Sequence, residues 1–366
     1  MLRSVLRPTS VIGLVTALLA PAMVVAATPS VGDLETELVP PLVHRVLNDG
    51  PDHPLSIGPE VDAFHDLLVT SDGSVIIASF HDGRVQNGAF DAWPMRVWTL
   101  GQPGASEILI PTANSGLAEG PDGRIYLAGE GRFLARWDGT DWEVLAKQQD
   151  VAPYRDHVIA DDGTVWAAFG PKLYSFDGER WVRSRFDDSG QRVNSLERTA
   201  DGRVWLHIGD SLLRHRGGRW TEMQPRKARG RIRTLAIDAD PDGGLWTVID
   251  NGVGTCDPAS FPIDLVEWAP MVDRLRPRLT TSPADGDQKP RRCAFGRELL
   301  AGSDGSSWVV RERSIENLTD SMGSLSVGGP PIRHAEADGD GNIWILAPDR
   351  DRETSDLYVI QTGAGD

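Results

Sequence analysis

Short apolar runs, separated by turns rich in Gly, Asp and Asn, recur along most of this chain. VWAAF (165–169) and LWTVI (245–249) are examples. Several such runs are followed by a second one, as in FLARWDG, LYSFDG and LLRHRGG, and then by a third after a Gly turn, as in GTDWEVL, GERWVRS and GRWTEMQ. No long stretch holds an apolar spacing of 3.6, so the pattern predicts short strands joined by tight turns.

The runs are organised by a repeat. An Asp-Gly turn with an aromatic three residues after the Gly occurs as PDGRIY (Gly123, Tyr126), DDGTVW (Gly163, Trp166) and ADGRVW (Gly202, Trp205). It continues as PDGGLW (Gly243, Trp246), SDGSSW (Gly305, Trp308) and GDGNIW (Gly341, Trp344), and a degenerate first copy, SDGSVI, places Gly73 and Ile76 in the same roles. Successive glycines lie 50, 40, 39, 41, 62 and 36 residues apart. Six residues before the Gly stand Leu67, Leu117, His157, Leu196, Leu299 and Ala335, and Leu235 joins them if the fifth copy carries two extra turn residues.

A unit of this length holds four short strands and cannot bury both of its faces alone. Its copies must therefore stack, with the aromatic filling the gap between neighbours. The expectation is an all-β chain: a seven-bladed β-propeller of four-stranded antiparallel blades. The last copy ends at DLYVIQTG (356–363), which corresponds to a third strand, and PLVHRVLNDG (41–50) has the alternation needed to supply the fourth. Pairing them would close the ring and remove an exposed sheet edge.

The motif resembles the two-component-regulator propeller repeat, approximately D-x-x-G-x-(L/I)-W. Asp338-Gly341-Ile343-Trp344 and Asp240-Gly243-Leu245-Trp246 match it in full, and the resemblance spans roughly residues 62–361. It implies the fold, and it implies an extracytoplasmic sensing role, since such propellers often form the sensing half of a membrane kinase. This chain departs from that arrangement in having no apparent transmembrane, kinase or output segment, so a sensor role would need a separate partner protein.

Two irregularities interrupt the repeat. Extra residues fall around HDGRVQNGAFDAWPM (81–95), and an insertion is expected at about 271–292, opening with a short, helix-compatible segment before a Pro/Asp/Lys loop. The first 27 residues read as a cleavable signal peptide, with Arg3 and Arg7 before an apolar Val11–Val25 core and small residues at Val24-Val25-Ala26-Ala27. That core is shorter than the roughly 20 residues of a spanning helix. The expected organisation is signal peptide 1–27, linker 28–40 and one propeller over 41–366, secreted or periplasmic and without membrane insertion after cleavage. Export would also favour a disulfide between the only two cysteines, Cys256 and Cys293.

The formal charge of the 366-residue chain is −16, from 37 Lys+Arg against 53 Asp+Glu, which argues against nucleic acid as a partner. Against that background one column is conspicuous. Eight residues before each Gly stand His65, Ser115, Arg155, Asn194, Arg297 and Arg333, with Arg233 included by the same two-residue correction. If the Asp-Gly turn lies on one face of the disc, this column rings the channel mouth on the other. Arginine forks bind carboxylates and phosphates bidentately. The candidate ligand-binding set is therefore His65, Arg155, Asn194, Arg233, Arg297 and Arg333, for a small anionic or carbohydrate ligand or a protein partner. The competing expectation is that each Arg pairs with an adjacent acid, because Asp66, Asp156 and Glu298 follow His65, Arg155 and Arg297 directly.

Other chemistry is sparse. Asp238, Asp240, Asp242 and Gly243 begin like a calcium loop, but Ile249 occupies the position of the closing acid. Asp338, Asp340 and Asn342 form a weaker version, and no cofactor is expected. No nucleophile elbow, P-loop, dinucleotide fingerprint or zinc spacing occurs, so no catalytic residue is assigned. A monomeric, non-enzymatic binding module is the leading expectation. A channel-mouth lyase or hydrolase, drawing on His65, Glu130, His157 or His334, and a structural envelope assembly module are the alternatives.

Overall fold

The Asp-Gly turns form first-to-second-strand connections of one design. In DDGTVW, Gly163 N donates to Ala160 O (2.9 Å), Ala160 N donates to Thr164 O (2.9 Å), and Asp162 Oδ1 accepts from Thr164 N (2.9 Å). Gly163 has φ +81 and its counterpart Gly341 has φ +84, a left-handed conformation that only glycine adopts without steric cost. The side-chain bond and the left-handed glycine together reverse the chain, and the aromatic three residues on enters the next strand. Trp166, Trp205, Trp246 and Trp308 are all buried there.

The computed structural model describes residues 42–45, 64–80, 85–87, 90–100, 105–111, 114–148, 152–184, 191–223, 233–239, 244–250, 263–268, 275–281, 298–301, 307–310, 314–317, 324–326, 332–348 and 355–361. Among these residues the secondary structure is strand, grouped in antiparallel sheets that are the blades of a β-propeller. No helix among them is long and apolar enough to cross a membrane.

Seven sheets are formed by the described residues, numbered here in chain order by their first strands. These first strands are Phe64–Val69, Ser115–Glu119, Tyr154–Ile159, Val193–Arg198, Arg233–Ala239, Glu298–Ala301 and His334–Ala337. Sheets two to six each run through four consecutive strands. The seventh consists of His334–Ala337, Ile343–Pro348, Ser355–Gln361 and, antiparallel to the last of these, Leu42–Arg45, in a register from Leu42↔Gln361 to Arg45↔Tyr358.

Three sequence expectations require correction. The first sheet has five strands because Phe90–Thr99 is ten residues long: it pairs with Val75–Phe80 and Ala105–Ile110, and its start turns back on Val85–Asn87. The segment expected to open an insertion at 271 instead supplies a strand, Leu275–Thr281, the outermost of the fifth sheet, paired with Ile263–Trp268. Alternating Leu275, Pro277 and Leu279 suits an edge strand, where a proline's missing N–H costs no ladder bond. The fifth repeat also carries no two-residue excess. Asp238 pairs with Trp246 as Glu197 pairs with Trp205, so the buried Ile237, not Leu235, aligns with Leu196. Residues 1–27, Cys256, Cys293 and Arg297 lie outside the described residues.

The apolar core lies between sheets. One cluster joins the first and second sheets through Ile76, Met95, Ile108, Leu127 and Phe133, and another joins the third and fourth through Trp166, Leu173, Leu196 and Leu206. Leu67 and Ile77 of the first sheet pack with Leu346 and Leu357 of the seventh. The third sheet is thus covered on both faces, by the second sheet on one side and the fourth on the other, which explains why its strand VWAAF is apolar at every position.

Candidate functional site

The innermost strands surround a cavity of about 670 Å³, to which all seven sheets contribute lining residues. Its wall is shaped by β-bulges. In the first, third, fourth and fifth sheets the register between the first two strands slips by one residue, at Phe64/Asp66, Tyr154/Asp156, Val193/Ser195 and Thr234/Ala236. The extra residues are His65, Arg155, Asn194 and Leu235. A bulge leaves its extra residue unpaired and re-aims its side chain. The column eight residues before the Gly is therefore a structural column, but its fifth member is Leu235. Arg233 is instead laddered opposite Asp250, and its assignment to the ring by a two-residue correction is overturned by this register.

The remaining members differ in what they do. His65 Nε2 lies 3.0 Å from Ser115 O, bridging the first and second sheets. Burial lowers its pKa, opposed by Asp66, while Arg333 and His334 lower it further. Asn194 turns back on its own sheet, donating from Nδ2 to Gly209 O (3.0 Å) beside His207 Nε2 (3.2 Å). Arg155 is exposed, lines the cavity and has no hydrogen-bond or ion-pair partner among the described residues. Arg333 is exposed as well, with its backbone N donating to Leu346 O (2.8 Å) just before the seventh sheet's inner strand. The structure thus brings His65, Arg155 and Asn194 to the cavity wall and puts Arg333 close enough to act on His65.

The acids that follow these residues are engaged elsewhere. Asp66 Oδ2 accepts from Leu117 N (2.6 Å) and Asp156 Oδ2 from Leu196 N (2.6 Å), each reaching the inner strand of the next sheet. Asp156 Oδ1 also accepts from His157 N (2.8 Å). In the fifth sheet Asp238 Oδ2 accepts from Ala301 N and Oδ1 from Ala239 N (2.9 Å). These carboxylates are inter-sheet ties. Asp156 is consequently not a counter-ion for Arg155, and the expectation of local Arg–acid pairing does not hold there. Burial pushes the Asp156 pKa up to about 7, against the pull of its two backbone donors and with a further rise from Asp66. On the opposite side His334 Nε2 sits 3.0 Å from Glu336 Oε1 and 3.8 Å from Asp66 Oδ1.

Behind Arg155 lies a buried pair, Tyr154 Oη and His157 Nδ1, 2.8 Å apart. Burial pushes His157 down to about 4 and Tyr154 well above its ordinary value, so at neutral pH both are uncharged. The Tyr154 hydroxyl fits against the second sheet where Gly116 leaves no side chain. Sequence reading missed these inter-sheet roles. The only local signal was the acid directly after the bulged residue, and its partner lies 51 residues on for Asp66 and 40 for Asp156.

Acids of the two candidate calcium turns are engaged in hydrogen bonds, one turn across to the next sheet and the other within itself. Both Asp238 oxygens are occupied as described, and Asp240 and Asp242 lie outside the described residues. Asp338 Oδ1 accepts from Asp340 N (3.0 Å) and Asn342 N (2.8 Å), and its Oδ2 accepts from Trp344 Nε1 (3.0 Å).

No protein-family model matches the chain, and no curated protein matches it in sequence. Solved structures do match its fold. It is similar to virginiamycin B lyase from Staphylococcus aureus, at 13% identity over 87% of this chain and 98% of that one, with a TM-score of 0.52. It is similar to the extracellular domain of a hybrid two-component system from B. thetaiotaomicron, at 11% identity and a TM-score of 0.54, over 89% of this chain and 42% of the other. A third structure, YCF48 bound to D1 peptide, matches at 11% identity over 91% of this chain and the whole of the other, with a TM-score of 0.53. At these identities the likeness establishes the β-propeller fold alone.

Proposed function

We propose that this protein is an exported, seven-bladed propeller that binds a small anionic ligand, one bearing a carboxylate or phosphate, at the mouth of its central channel. The observation that carries this reading is the Arg155 guanidinium, exposed on a bulge at the cavity wall and without a partner among the described residues, the adjacent Asp156 being committed to Leu196 N. Arg333, one residue before the cavity-lining His334, is a second cation close enough to lower the His65 pKa. Glu197, Glu336 and His334 also line the cavity, and these groups suit the hydroxyls of a polyhydroxylated acid better than a bare inorganic anion. A cavity of about 670 Å³ falls within the usual range for small-ligand sites.

Closure into a single ring is part of this proposal. It is supported by the pairing of Leu42–Arg45 with Ser355–Gln361 and by the apolar contact of the first sheet with the seventh. Export is supported by the character of residues 1–27. The peptide-bound and extracellular fold relatives keep a protein ligand in view, and the same rim residues would then meet an acidic peptide.

The experiment is a thermal-shift and calorimetric titration of the chain with hexuronic acids, small dicarboxylates, neutral sugars and acidic peptides. A ligand specific for the folded state raises Tm. Stabilisation by an acid, lost in the Arg155→Ala/Arg333→Ala double variant, is expected. Equal binding of that ligand by the double variant would overturn the assignment.

A further inference from the structure

The degenerate first repeat leaves a second cavity, remote from the channel. Where the third sheet meets the fourth, Trp166 packs against His215 (ring centroids 4.7 Å apart) and Trp220 (5.2 Å, interplanar 85°), closing the outer part of the junction. Where the second meets the third, Tyr126 occupies the same position, and Phe176 and Trp181 (5.3 Å) stand in for His215 and Trp220. At the junction of the first and second sheets the flanking pair is present as Trp137 and Trp142 (5.5 Å, 50°), but the position facing it holds Ile76. The missing aromatic ring is not replaced by another side chain. A cavity of about 300 Å³ remains, lined among the described residues by Ile76, Val97, Trp137 and Trp142 and by the uncharged polar residues Thr99, Ser106 and Thr140.

The structure's own repeats indicate what fits. Of the three junctions just described, two hold a ring at this position, set edge-on to the outer tryptophan in the case of Trp166. Ile76 and the two indoles give the cavity an apolar wall against which such a ring can pack, while the hydroxyls of Thr99, Ser106 and Thr140 leave part of the lining polar. Aromatic pairs gain from tilted or edge-to-face contact beyond the area that they bury. The Trp142 indole N–H already donates to Ser106 Oγ (3.0 Å), so the ring presents an apolar face to the cavity. We propose that this junction is a binding site for a flat, uncharged aromatic ring of indole size, either free or carried as a tryptophan side chain on a peptide.

Titration of the intact protein with indole, with N-acetyl-tryptophanamide and with methyl glucoside, followed by NMR and calorimetry, tests this. At least one of the two ring-bearing probes is expected to bind saturably, and which one does so separates a free ring from a peptide-borne one. Ile76→Trp, which restores the ring that the other junctions contain, is expected to weaken that binding at least about tenfold while raising Tm. Should Ile76→Trp not fold, Ala105→Phe, an exposed residue at the cavity wall, is expected to do the same by obstruction. Absence of saturable binding by both ring-bearing probes overturns the proposal. So does undiminished binding in the folded variant, or methyl glucoside binding as tightly as the rings.

Discussion

The inner and outer parts of the junctions between sheets are held by different chemistry. Near the channel the ties are directional and polar: Asp66 to Leu117 N, Asp156 to Leu196 N, His65 to Ser115 O and Asn114 Nδ2 to Tyr154 O (3.1 Å). Farther out the gap is filled by rings, with Trp166, His215 and Trp220 at one junction and Phe169, Phe176 and Trp181 at another. Sheets arranged radially converge at the axis and fan apart outward. Close to the axis a carboxylate spans the distance to the next backbone N–H, whereas at larger radius only a bulky side chain can. The inner strands of the first, third and fifth sheets accordingly supply an acid, while buried tryptophans stand on second strands such as those of Trp166, Trp205 and Trp246.

The largest effect should come from the outer contacts. Trp166→Ala removes a buried indole that two aromatic neighbours pack against, and its cost is expected to be about 3–5 kcal/mol in chemical denaturation. Ile76→Ala, at the junction that already holds a cavity, should cost less than that. An equal loss at both positions would show that the rings are not what closes the outer gap.

Asp156→Ala comes next. It strips Leu196 N and His157 N of their acceptor and is expected to cost about 1–3 kcal/mol. Asp156→Asn keeps an acceptor oxygen and removes the charge. The raised native pKa means that the folded protein holds a proton which the unfolded chain has released above about pH 4. This group's contribution to stability therefore falls as pH rises from about 4 to about 7 and stays low above that. His157 runs the other way: with its pKa near 4 in the fold, stability is lost as pH drops from about 6.5 to about 4. Denaturation midpoints of Asp156→Asn across pH 5–8 should thus decline less than those of the parent protein. An unchanged slope would place the titration elsewhere than at Asp156.

Arg155→Ala should have the smallest effect on stability, within about 0.5 kcal/mol, because the side chain is exposed and makes no contact that the fold needs. A larger loss would move Arg155 from the ligand to the scaffold.

Much of this architecture was legible in the sequence because its cause is local. An Asp-Gly turn needs its glycine at positive φ, and Gly73, Gly123, Gly163, Gly202 and Gly341 all have it. The aromatic three residues later is fixed by the same turn. The bulged column was legible for the same reason at His65, Arg155 and Asn194. It failed at the fifth repeat, where a two-residue correction that aligned Leu235 with the apolar column also put Arg233 in place of Leu235. The true alignment rests on a cross-strand register that places Ile237 in the core. What each residue touches was not legible, since Asp156 and Asn194 are both polar and near the channel, yet one ties two sheets and the other folds back on Gly209. The strand at Leu275–Thr281 was missed because proline and arginine obscure its alternation.

The pairing of Leu42–Arg45 with Ser355–Gln361 also orders events in time. During synthesis the strand nearest the N-terminus waits for its partner until about three hundred further residues have been made. Contacts that distant in sequence are slow to form. Until then the seventh sheet lacks its outer strand, and Ser355–Gln361 offers an open edge to any other extended segment. The interval between the emergence of Ser355–Gln361 and its pairing with Leu42–Arg45 is therefore when the seventh sheet is most exposed to mispairing.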